Sequence, residues 1–251
     1  MALKNINKLK YRRGIFSVNE IFLISSEEVS DDINYFIQVP ENTQNNLSEF
    51  YTLLINLEQA ENDIWEAIYH RTRDEINSFL KNQNFEYDFI FPVSVDAMPQ
   101  YIKLYDDFAE HKAIRKAEAF RLKAYCEQGL MAVSYIRQGD NYLCVNFYRI
   151  TKQRASNLYS FHLKHKNKGE ASSSHYGRAH RALHWLDIKE CKKLGAEVYD
   201  FCGWYNGNSD THLLGINKFK EQFGGYKVKE YSGVIYKNVF LRFLKRLFHA
   251  G

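Results

Sequence analysis

The segment at residues 198–225, VYDFCGWYNGNSDTHLLGINKFKEQFGG, contains the strongest structural signals in the chain. It predicts an apolar strand at Val198–Gly203, followed by a polar loop and a short helix. Ser209 or Asp210 is placed to cap that helix, and Gly224–Gly225 is placed to end it. A strand end and a helix are therefore expected to come together around a polar loop.

Two ionisable residues of this segment stand among apolar neighbours. Asp200, inside the predicted strand, is either a structural carboxylate that accepts backbone hydrogen bonds or a base that takes a proton from an attacking amine. Lys220 follows Phe219 in the predicted helix and is either an exposed lysine or a fixed cation that stabilises a phosphate or an oxyanion. The functional interpretation of both residues predicts an acyl-transfer site.

The composition predicts a well-packed globular chain. Of the 251 residues, 45% are apolar and 16% aromatic, and only 3 are Pro. No apolar run reaches the roughly 18 residues that a membrane span requires. The N-terminal MALKNINKLKYRRG lacks an apolar signal core, so we expect a cytoplasmic protein. The net charge of +4 fits anionic small ligands or a membrane surface and is weak support for nucleic acid.

Cysteines and histidines give no metal-binding pattern. The four cysteines form no CxxC pair, which predicts reduced core thiols; they are Cys126, Cys144, Cys191 and Cys202. Histidines recur at positions 162, 175, 180, 184 and 212 without a motif such as HExxH, so no metal is expected. His175 and His212 fall at predicted loop or helix starts, where each is either a base or a polar filler.

Three parts are predicted along the chain. Residues 1–84 read as a β-rich portion, with strands at Ile15–Ile24, Tyr35–Val39 and Phe50–Leu57. Its one helix carries Ile64, Ile68, Ile76, Phe79 and Leu80. Residues 85–236 read as a mixed α/β domain with helices on both faces of a sheet. Its predicted elements are a strand at Phe89–Val95, a helix from Asp96, a helix at Ile114–Tyr125, strands at Leu130–Arg137, Tyr142–Ile150 and Ser156–Leu163, a long helix that Gly195 ends, the strand and helix described above, and a hairpin at Lys227–Tyr236. The long helix has one apolar face, made of Ala179, Ala182, Leu183, Leu186, Cys191 and Leu194.

The third part, residues 237–251, contains an amphipathic tail at Val239–His249. Its apolar residues oppose Arg242, Lys245, Arg246 and His249. A helix lying on an anionic membrane has this pattern, and so does a helix docked on the protein's own core. If the tail lies on a membrane, we expect the protein to be peripheral to the inner face of that membrane and its acceptor to be lipid-linked.

A basic, serine-rich loop joins the strand Ser156–Leu163 to the long helix, KHKNKGEASSSHYGRA at residues 164–179. Free backbone N–H groups and the positive end of the helix dipole favour a diphosphate at such a helix start. Gly177 lets a ligand approach the backbone closely. The alternative is a solvated loop with a serine cap.

Part of this loop, SHYGRA at residues 174–179, resembles the acyl-CoA-binding turn Gln/Arg-x-x-Gly-x-Gly/Ala of the GNAT acetyltransferase superfamily. Gly177 and Ala179 match that turn, and Ser174 stands at its first position. The resemblance implies that acetyl-CoA or another acyl-CoA is the donor. The residues that it implies for donor binding are Ser173, Ser174, Tyr176, Gly177, Arg178 and Ala179.

Two further blocks resemble the FemABX branch of that superfamily, which builds peptidoglycan cross-bridges with amino acids from tRNA. The first block is LLINL at 53–57 with Trp65 and residues 71–76. The second runs from Leu183-His184-Trp185 through YDFCG at 199–203 to Phe219-Lys220 and FGG at 223–225. This resemblance implies a GNAT-type α/β fold with a mixed, mostly antiparallel sheet flanked by helices. It implies that the N-terminal portion is a truncated first GNAT-like domain, and that Lys220 lies near the reaction centre.

The expected function is transfer of an acyl group from acyl-CoA to the amine of a sugar or an amino acid, in cell-surface polysaccharide or envelope biosynthesis. The amine would attack between the strands Ser156–Leu163 and Val198–Gly203. Asp200 or a histidine such as His175 would accept its proton. Trp204, Tyr205 and His212 are expected to hold the acceptor, although the aromatic pair could equally be packing under its loop. Two alternatives are an aminoacyl-tRNA donor, which is less favoured, and a non-catalytic binding module.

Overall fold

The computed structural model describes residues 3–25, 29–81, 84–166 and 172–237. The elements, in chain order, are β1 (Lys8–Arg13), β2 (Phe16–Phe22), β3 (Ile33–Val39), β4 (Ser48–Asn56), α1 (Glu61–Ala67), α2 (His70–Leu80), β5 (Glu86–Ile90), α3 (Met98–Lys112), α4 (Ala119–Glu127), β6 (Met131–Gln138), β7 (Asn141–Ile150), β8 (Ala155–His162), α5 (Ser173–Leu194), β9 (Val198–Asp200), α6 (Thr211–Glu221) and β10 (Tyr226–Tyr236). The predicted amphipathic tail at 239–249 lies outside the described residues.

The chain forms two compact units, each made of segments that are distant in sequence. The larger unit consists of the residues up to Asn5, Leu53–Cys202 and Gly207–Tyr226. The described residues of the smaller unit are those within Ile6–Thr52, Gly203–Asn206 and residues 227–237. Both units therefore combine residues from the two sides of the division expected near residue 84.

The smaller unit is built on a β-sheet. β1 and β2 form an antiparallel hairpin, β2 runs parallel to β3, and β10 pairs antiparallel with β3. Because β10 returns to β3, the last described strand belongs to the same unit as the first strands. A buried apolar cluster lies beside these strands, made of Ile21, Phe36, Val39, Leu47 and Ile235.

The larger unit has a sheet with the strand order β4-β9-β8-β7-β6-β5. All its neighbouring pairs are antiparallel except β8 and β9, which are parallel. Helices cover both faces, as the alternation of side chains along β7 demonstrates. Asn146 and Tyr148 face α5, where both donate to Asp187. Phe147 and Arg149 face the opposite helices, where the Phe147 ring lies 6.4 Å from that of Tyr105. The predicted mixed, mostly antiparallel sheet flanked by helices is confirmed.

Most of the predicted elements of the larger unit are confirmed. The three strands before the basic loop correspond to β6, β7 and β8, and Gly195, with φ +91°, ends α5. Asp210 caps α6 by accepting at Oδ1 from the backbone N–H groups of His212 and Leu213. The helix predicted from residue 114 begins only at Ala119, because Ala113 takes a left-handed conformation that ends α3.

Three predictions about the elements were wrong. The single N-terminal helix is two helices, since Ile68 is extended and the backbone N–H of Tyr69 donates to the Gln222 carbonyl instead. The hairpin at Lys227–Tyr236 is one strand with a register shift between Tyr231 and Gly233. The strand expected at Phe89–Val95 is β5, which ends before Pro92, a residue that has no N–H to donate.

β1 had no counterpart among the predicted strands. Its sequence, KLKYRR, is mostly charged and lies at the outer edge of the strand order, where charged residues are normal. In the part of the chain that the structure describes, no helix combines the length and the apolar character needed to cross a membrane.

Candidate functional site

A cavity of about 440 Å³ opens in the larger unit where β8 and β9 separate. The two strands pair only at Ala155 with Tyr199 and at Ser156 with Asp200. Beyond these pairs β8 continues to His162, whereas β9 ends. The space between them is lined by residues of both strands and of the flanking helices α5 and α6: Asn157, Ser160, His180, His184, Phe201, Thr211, His212, Gly215, Ile216, Phe219 and Lys220.

The end of β9 is fixed by the carboxylate of Asp200, which is fully buried. Its Oδ2 lies 3.2 Å from Nη1 of Arg154, and its Oδ1 accepts from the backbone N–H of Cys202 at 2.8 Å. Both contacts fit the interpretation of Asp200 as a structural carboxylate, because they fix the turn that follows β9. Asp200 does not line the cavity, and its role as a base stays a prediction.

Lys220 extends from α6 into the cavity wall. Its Nζ donates to the carbonyl oxygen of Cys202, directly after β9, where Cys202 itself has φ +46°. Burial lowers the pKa of Lys220 below its ordinary value, and the Asp200 carboxylate counteracts this shift. Lys220 is the single Lys or Arg among the described residues that line the cavity. The side chain can therefore present a positive charge to a group bound between the strands.

A pair of histidines from α5 forms another wall. His180 Nε2 lies 2.7 Å from Ser160 Oγ, and His184 Nε2 lies 3.2 Å from the same oxygen. Burial lowers the pKa of His180 to about 3 and that of His184 well below its ordinary value, so both rings are neutral near pH 7. Phe219 packs against both rings, with centroid distances of 5.4 and 5.5 Å.

His180 and His184 were not selected as site residues by the sequence prediction. Their spacing of four residues places them on the same face of a helix, and that signal is present in the sequence. What the spacing does not reveal is that this face turns toward the open end of β8. His212, which was selected, is exposed and lines the same cavity.

His175 lies elsewhere on α5. Its Nε2 is 3.2 Å from Oε1 of Gln138, and its ring is 5.4 Å from that of Phe79. Partial burial and the neighbouring Arg178 lower the pKa of His175. It is not among the residues that line the cavity.

The six residues expected to bind the donor lie in the first two turns of α5. Ser172 caps this helix, its Oγ accepting from the backbone N–H of His175. Tyr176 and Ala179 are buried, whereas Ser173 and Ser174 are exposed. An added Cβ at Gly177 would lie 3.3 Å from Nη1 of Arg181, which donates to the Gly177 carbonyl. Of the basic loop, residues 167–171 lie outside the described residues, and Lys164 Nζ donates to Ser173 Oγ at 2.8 Å.

The aromatic loop Trp204-Tyr205 belongs to the smaller unit. There the backbone N–H of Trp204 donates to the Tyr51 carbonyl, and the Lys227 ammonium lies 5.1 Å from the centroid of the Trp204 ring. Within the described residues, no group of three His, Cys, Asp or Glu side chains is arranged to hold a metal ion. No disulfide joins the described cysteines.

Comparisons with known proteins identify the fold of this chain. No protein-family model matches the chain, and no curated protein matches it. Among solved structures, FemX aligns with a TM-score of 0.57 at 11% identity over 78% of this chain, which spans 63% of the FemX chain. The C-terminal domain of a putative lysylphosphatidylglycerol synthetase from Agrobacterium fabrum aligns with a TM-score of 0.54 at 10% identity, covering 96% of this chain and 87% of that one.

L-PGS from Bacillus licheniformis is similar to the same degree. Its TM-score is 0.52 at 12% identity, covering 98% of this chain and 86% of that one. At such identities the likeness concerns the fold and not the activity. The resemblance seen in the sequence is confirmed at that level: the chain has a GNAT/FemABX-like fold.

Proposed function

We propose that this protein is an N-acyltransferase that moves an acyl group from acyl-CoA to the amine of a sugar or amino-acid acceptor in cell-surface polysaccharide or envelope biosynthesis. The observation that carries the proposal is the cavity between the diverging ends of β8 and β9, with Lys220 in its wall. Such a gap lets two reactants meet between strands without a covalent enzyme intermediate. Holding them in register can supply on the order of 7 kcal/mol of the barrier.

The donor is proposed to bind at the start of α5. The exposed Ser173 and Ser174 and the helix dipole favour a diphosphate at this end. Since a helix rises 1.5 Å per residue, Ser174 lies about 9 Å along the axis from His180, which lines the cavity. An acyl-CoA whose diphosphate binds at this end can extend its flexible arm along α5 toward the cavity.

Lys220 is proposed to stabilise the oxyanion that forms when the amine attacks the thioester. A lysine that is largely removed from water acts on such a charge more strongly than an exposed one. Its contact with the Cys202 carbonyl holds the ammonium at the end of β9, where the reacting carbonyl would lie. The apolar residues Phe201, Ile216 and Phe219 surround the remaining space and suit an acyl chain.

A second candidate is an aminoacyl transferase that uses aminoacyl-tRNA. The observation in its favour is that the structures aligned over 96% and 98% of this chain include a putative lysylphosphatidylglycerol synthetase domain and L-PGS. The product in the first of these names is an amino acid joined to a lipid. The same cavity could accept an aminoacyl ester in place of a thioester, with a lipid-linked acceptor.

Thermal unfolding in the presence of each donor separates these candidates. Acetyl-CoA, a long-chain acyl-CoA and charged tRNA are added in turn, with free CoA and uncharged tRNA as matched controls. A donor at 100 times its Kd stabilises the native state by about 2.7 kcal/mol, which raises the Tm by roughly 5–10 °C. Stabilisation by CoA esters but not by tRNA supports the first candidate, and the reverse supports the second. If neither donor changes the Tm, both enzyme proposals fail and a non-catalytic binding role is favoured.

A further inference from the structure

A continuous chain of hydrogen-bonding groups runs from the cavity into the core of the larger unit. The chain begins with Ser160 and His184, and His184 Nδ1 lies 2.7 Å from the Tyr199 hydroxyl. Tyr199 lies 2.8 Å from the Tyr148 hydroxyl, which donates to Asp187 Oδ2 at 2.6 Å. Every member after Ser160 is buried. The chain therefore connects a cavity wall with a carboxylate that has no access to water.

Asp187 fixes the direction of this chain. Its carboxylate accepts from four side chains, at distances of 2.6–3.1 Å: Tyr87, Ser134, Asn146 and Tyr148. An ionised carboxylate only accepts, so the single Tyr148 proton points toward Asp187. The Tyr148 oxygen is therefore an acceptor toward its other two neighbours, Asn146 Nδ2 and the Tyr199 hydroxyl. Since Tyr199 donates its single proton to Tyr148, its oxygen accepts from His184 Nδ1.

The direction of these hydrogen bonds also determines which nitrogen carries the proton in each histidine. A neutral His184 that donates from Nδ1 has a bare Nε2, which accepts the single proton of Ser160. The Ser160 oxygen then accepts from His180, so His180 carries its proton on Nε2. The nitrogen left without a proton is Nδ1 of His180, which has no hydrogen-bond partner among the described residues.

The electrostatic environment supports these protonation states. Burial raises the pKa of Asp187 to about 6, which leaves the carboxylate ionised at pH 7. Burial keeps both imidazoles neutral, and the cationic neighbours Arg181 and Lys220 act in the same direction on His184. A neutral imidazole with a bare nitrogen, in the wall of a cavity, can accept a proton. Because its pKa of about 3 makes His180 a weak base without substrate, the transfer requires the negative charge of the oxyanion or of the leaving thiolate beside it, and the imidazolium then readily gives the proton back.

We propose that His180 is the general base that accepts the proton of the attacking amine, and that Asp187 is a positioning residue that holds His180 in the required tautomer through Tyr148, Tyr199, His184 and Ser160. This inference rests on the proposed acyl transfer. The bond from the amine nitrogen to the acyl carbon forms first and leaves the oxyanion, and the carbon–sulfur bond of the thioester breaks when that oxyanion collapses. The nitrogen's proton passes to His180 Nδ1, and the imidazolium returns it to the thiolate that leaves.

The tautomers can be measured without any substrate. Long-range ¹H–¹⁵N correlation spectra of ¹⁵N-histidine-labelled protein distinguish the nitrogen that carries the proton. We expect His184 to carry it on Nδ1 and His180 on Nε2 at pH 7. Tyr199→Phe removes the acceptor for His184 Nδ1–H and should produce mixed tautomers at both rings. Asp187→Asn tests the end of the chain in the same way.

Tyr105→Phe is the matched control. This buried tyrosine donates to the Arg115 carbonyl on the opposite face of the sheet, and its variant should retain both wild-type tautomers. A wild-type His180 with its proton on Nδ1 would overturn the proposal, and so would a Tyr199→Phe variant with unchanged tautomers. Circular dichroism of each variant establishes that the fold is retained.

Kinetics with the donor that raises the Tm then test the base directly. His180→Gln should lower kcat by 100-fold or more while the donor-induced change in Tm is retained. Tyr199→Phe should lower kcat by about tenfold with KM unchanged, since it acts through His180. An unchanged kcat in His180→Gln overturns the assignment of the base. If the tautomers are as expected but no donor binds, the proposed acyl transfer is overturned, and so is the role of His180 as its base. The tautomer assignment itself stands in that case.

Discussion

The carboxylate of Asp200 and the guanidinium of Arg154 form an ion pair of 3.2 Å inside the larger unit, with side-chain exposures of 0% and 11%. Losing one partner of a buried pair leaves the other charge uncompensated, which costs about 3–5 kcal/mol. We therefore expect Asp200→Ala to lower the free energy of unfolding by that amount, as measured by urea denaturation.

Glu86→Ala is the matched control for this variant. Glu86 pairs with Arg137 at 2.6 Å, but the Glu86 side chain is exposed and Arg137 is only half-buried, so its loss should cost much less than that of Asp200. Asp200→Asn distinguishes the structural from the catalytic interpretation of this residue. A variant that keeps its stability but loses kcat would make Asp200 the base, contrary to our assignment of His180.

Lys220→Ala is expected to lower kcat/KM by about 100–1,000-fold, because a preorganised charge at the developing oxyanion is lost. The Tm increase caused by the donor should persist, since Lys220 is proposed to act on the reacting carbonyl and not on the diphosphate. Lys218→Ala, an exposed lysine of the same helix, serves as the control and should leave kcat/KM unchanged. Full activity of Lys220→Ala would remove this residue from the site.

Gly225→Ala should be more destabilising than Gly195→Ala. Both glycines have positive φ, +88° and +91°, so each substitution carries a backbone cost of about 1–2 kcal/mol. An added Cβ at Gly225 would also lie 2.3 Å from the Leu54 carbonyl oxygen, whereas Gly195 has open space around it. We expect a total of about 3–4 kcal/mol for Gly225→Ala in urea denaturation. Equal losses in the two variants would contradict the close approach of the chain to β4.

Two histidines in the cavity wall, the buried His184 and the partly buried His180, make stability depend on pH. The unfolded chain binds protons at imidazoles below about pH 6.5, whereas burial lowers the pKa of His180 to about 3 and that of His184 well below 6.5. Each ring thus lowers the free energy of unfolding by about 1.4 kcal/mol per pH unit as the pH falls through this range. The loss begins at the unfolded pKa and continues to the lower, folded one.

Asp187 opposes part of this loss. Its pKa is raised to about 6 in the folded protein, so below that pH the native state holds a proton that the unfolded chain lacks until about pH 3.8. Two histidines outweigh one aspartate, and the lowered pKa values of His162, His165 and His175 act in the same direction. The net loss should therefore be at least about 1.4 kcal/mol per unit between pH 6 and 4. Urea denaturation at pH 6, 5 and 4 measures this slope. A free energy of unfolding that stays constant over this range would refute neutral burial of the two rings.

Local patterns predicted the elements that surround the site. The apolar face of α5 and its end at Gly195 were correctly predicted, because both signals are local. Of the two caps predicted for α6, Ser209 or Asp210, the structure has Asp210. The helix break at Ile68 was missed, because the bond that stabilises it comes from Gln222, more than a hundred residues away. Local sequence propensity cannot predict a hydrogen bond to a residue that is so distant in the sequence.

The same distinction holds for the site. Periodicity and short motifs are local properties, so they predicted the helices and strands around the site and placed Lys220 after Phe219. The pairing of Asp200 with Arg154, and the position of His180 and His184 at the cavity with Ser160, could be read only from the folded chain. The physical reason is that a side chain's hydrogen-bond partners, and hence its protonation, depend on strands and helices that meet only when the chain has folded.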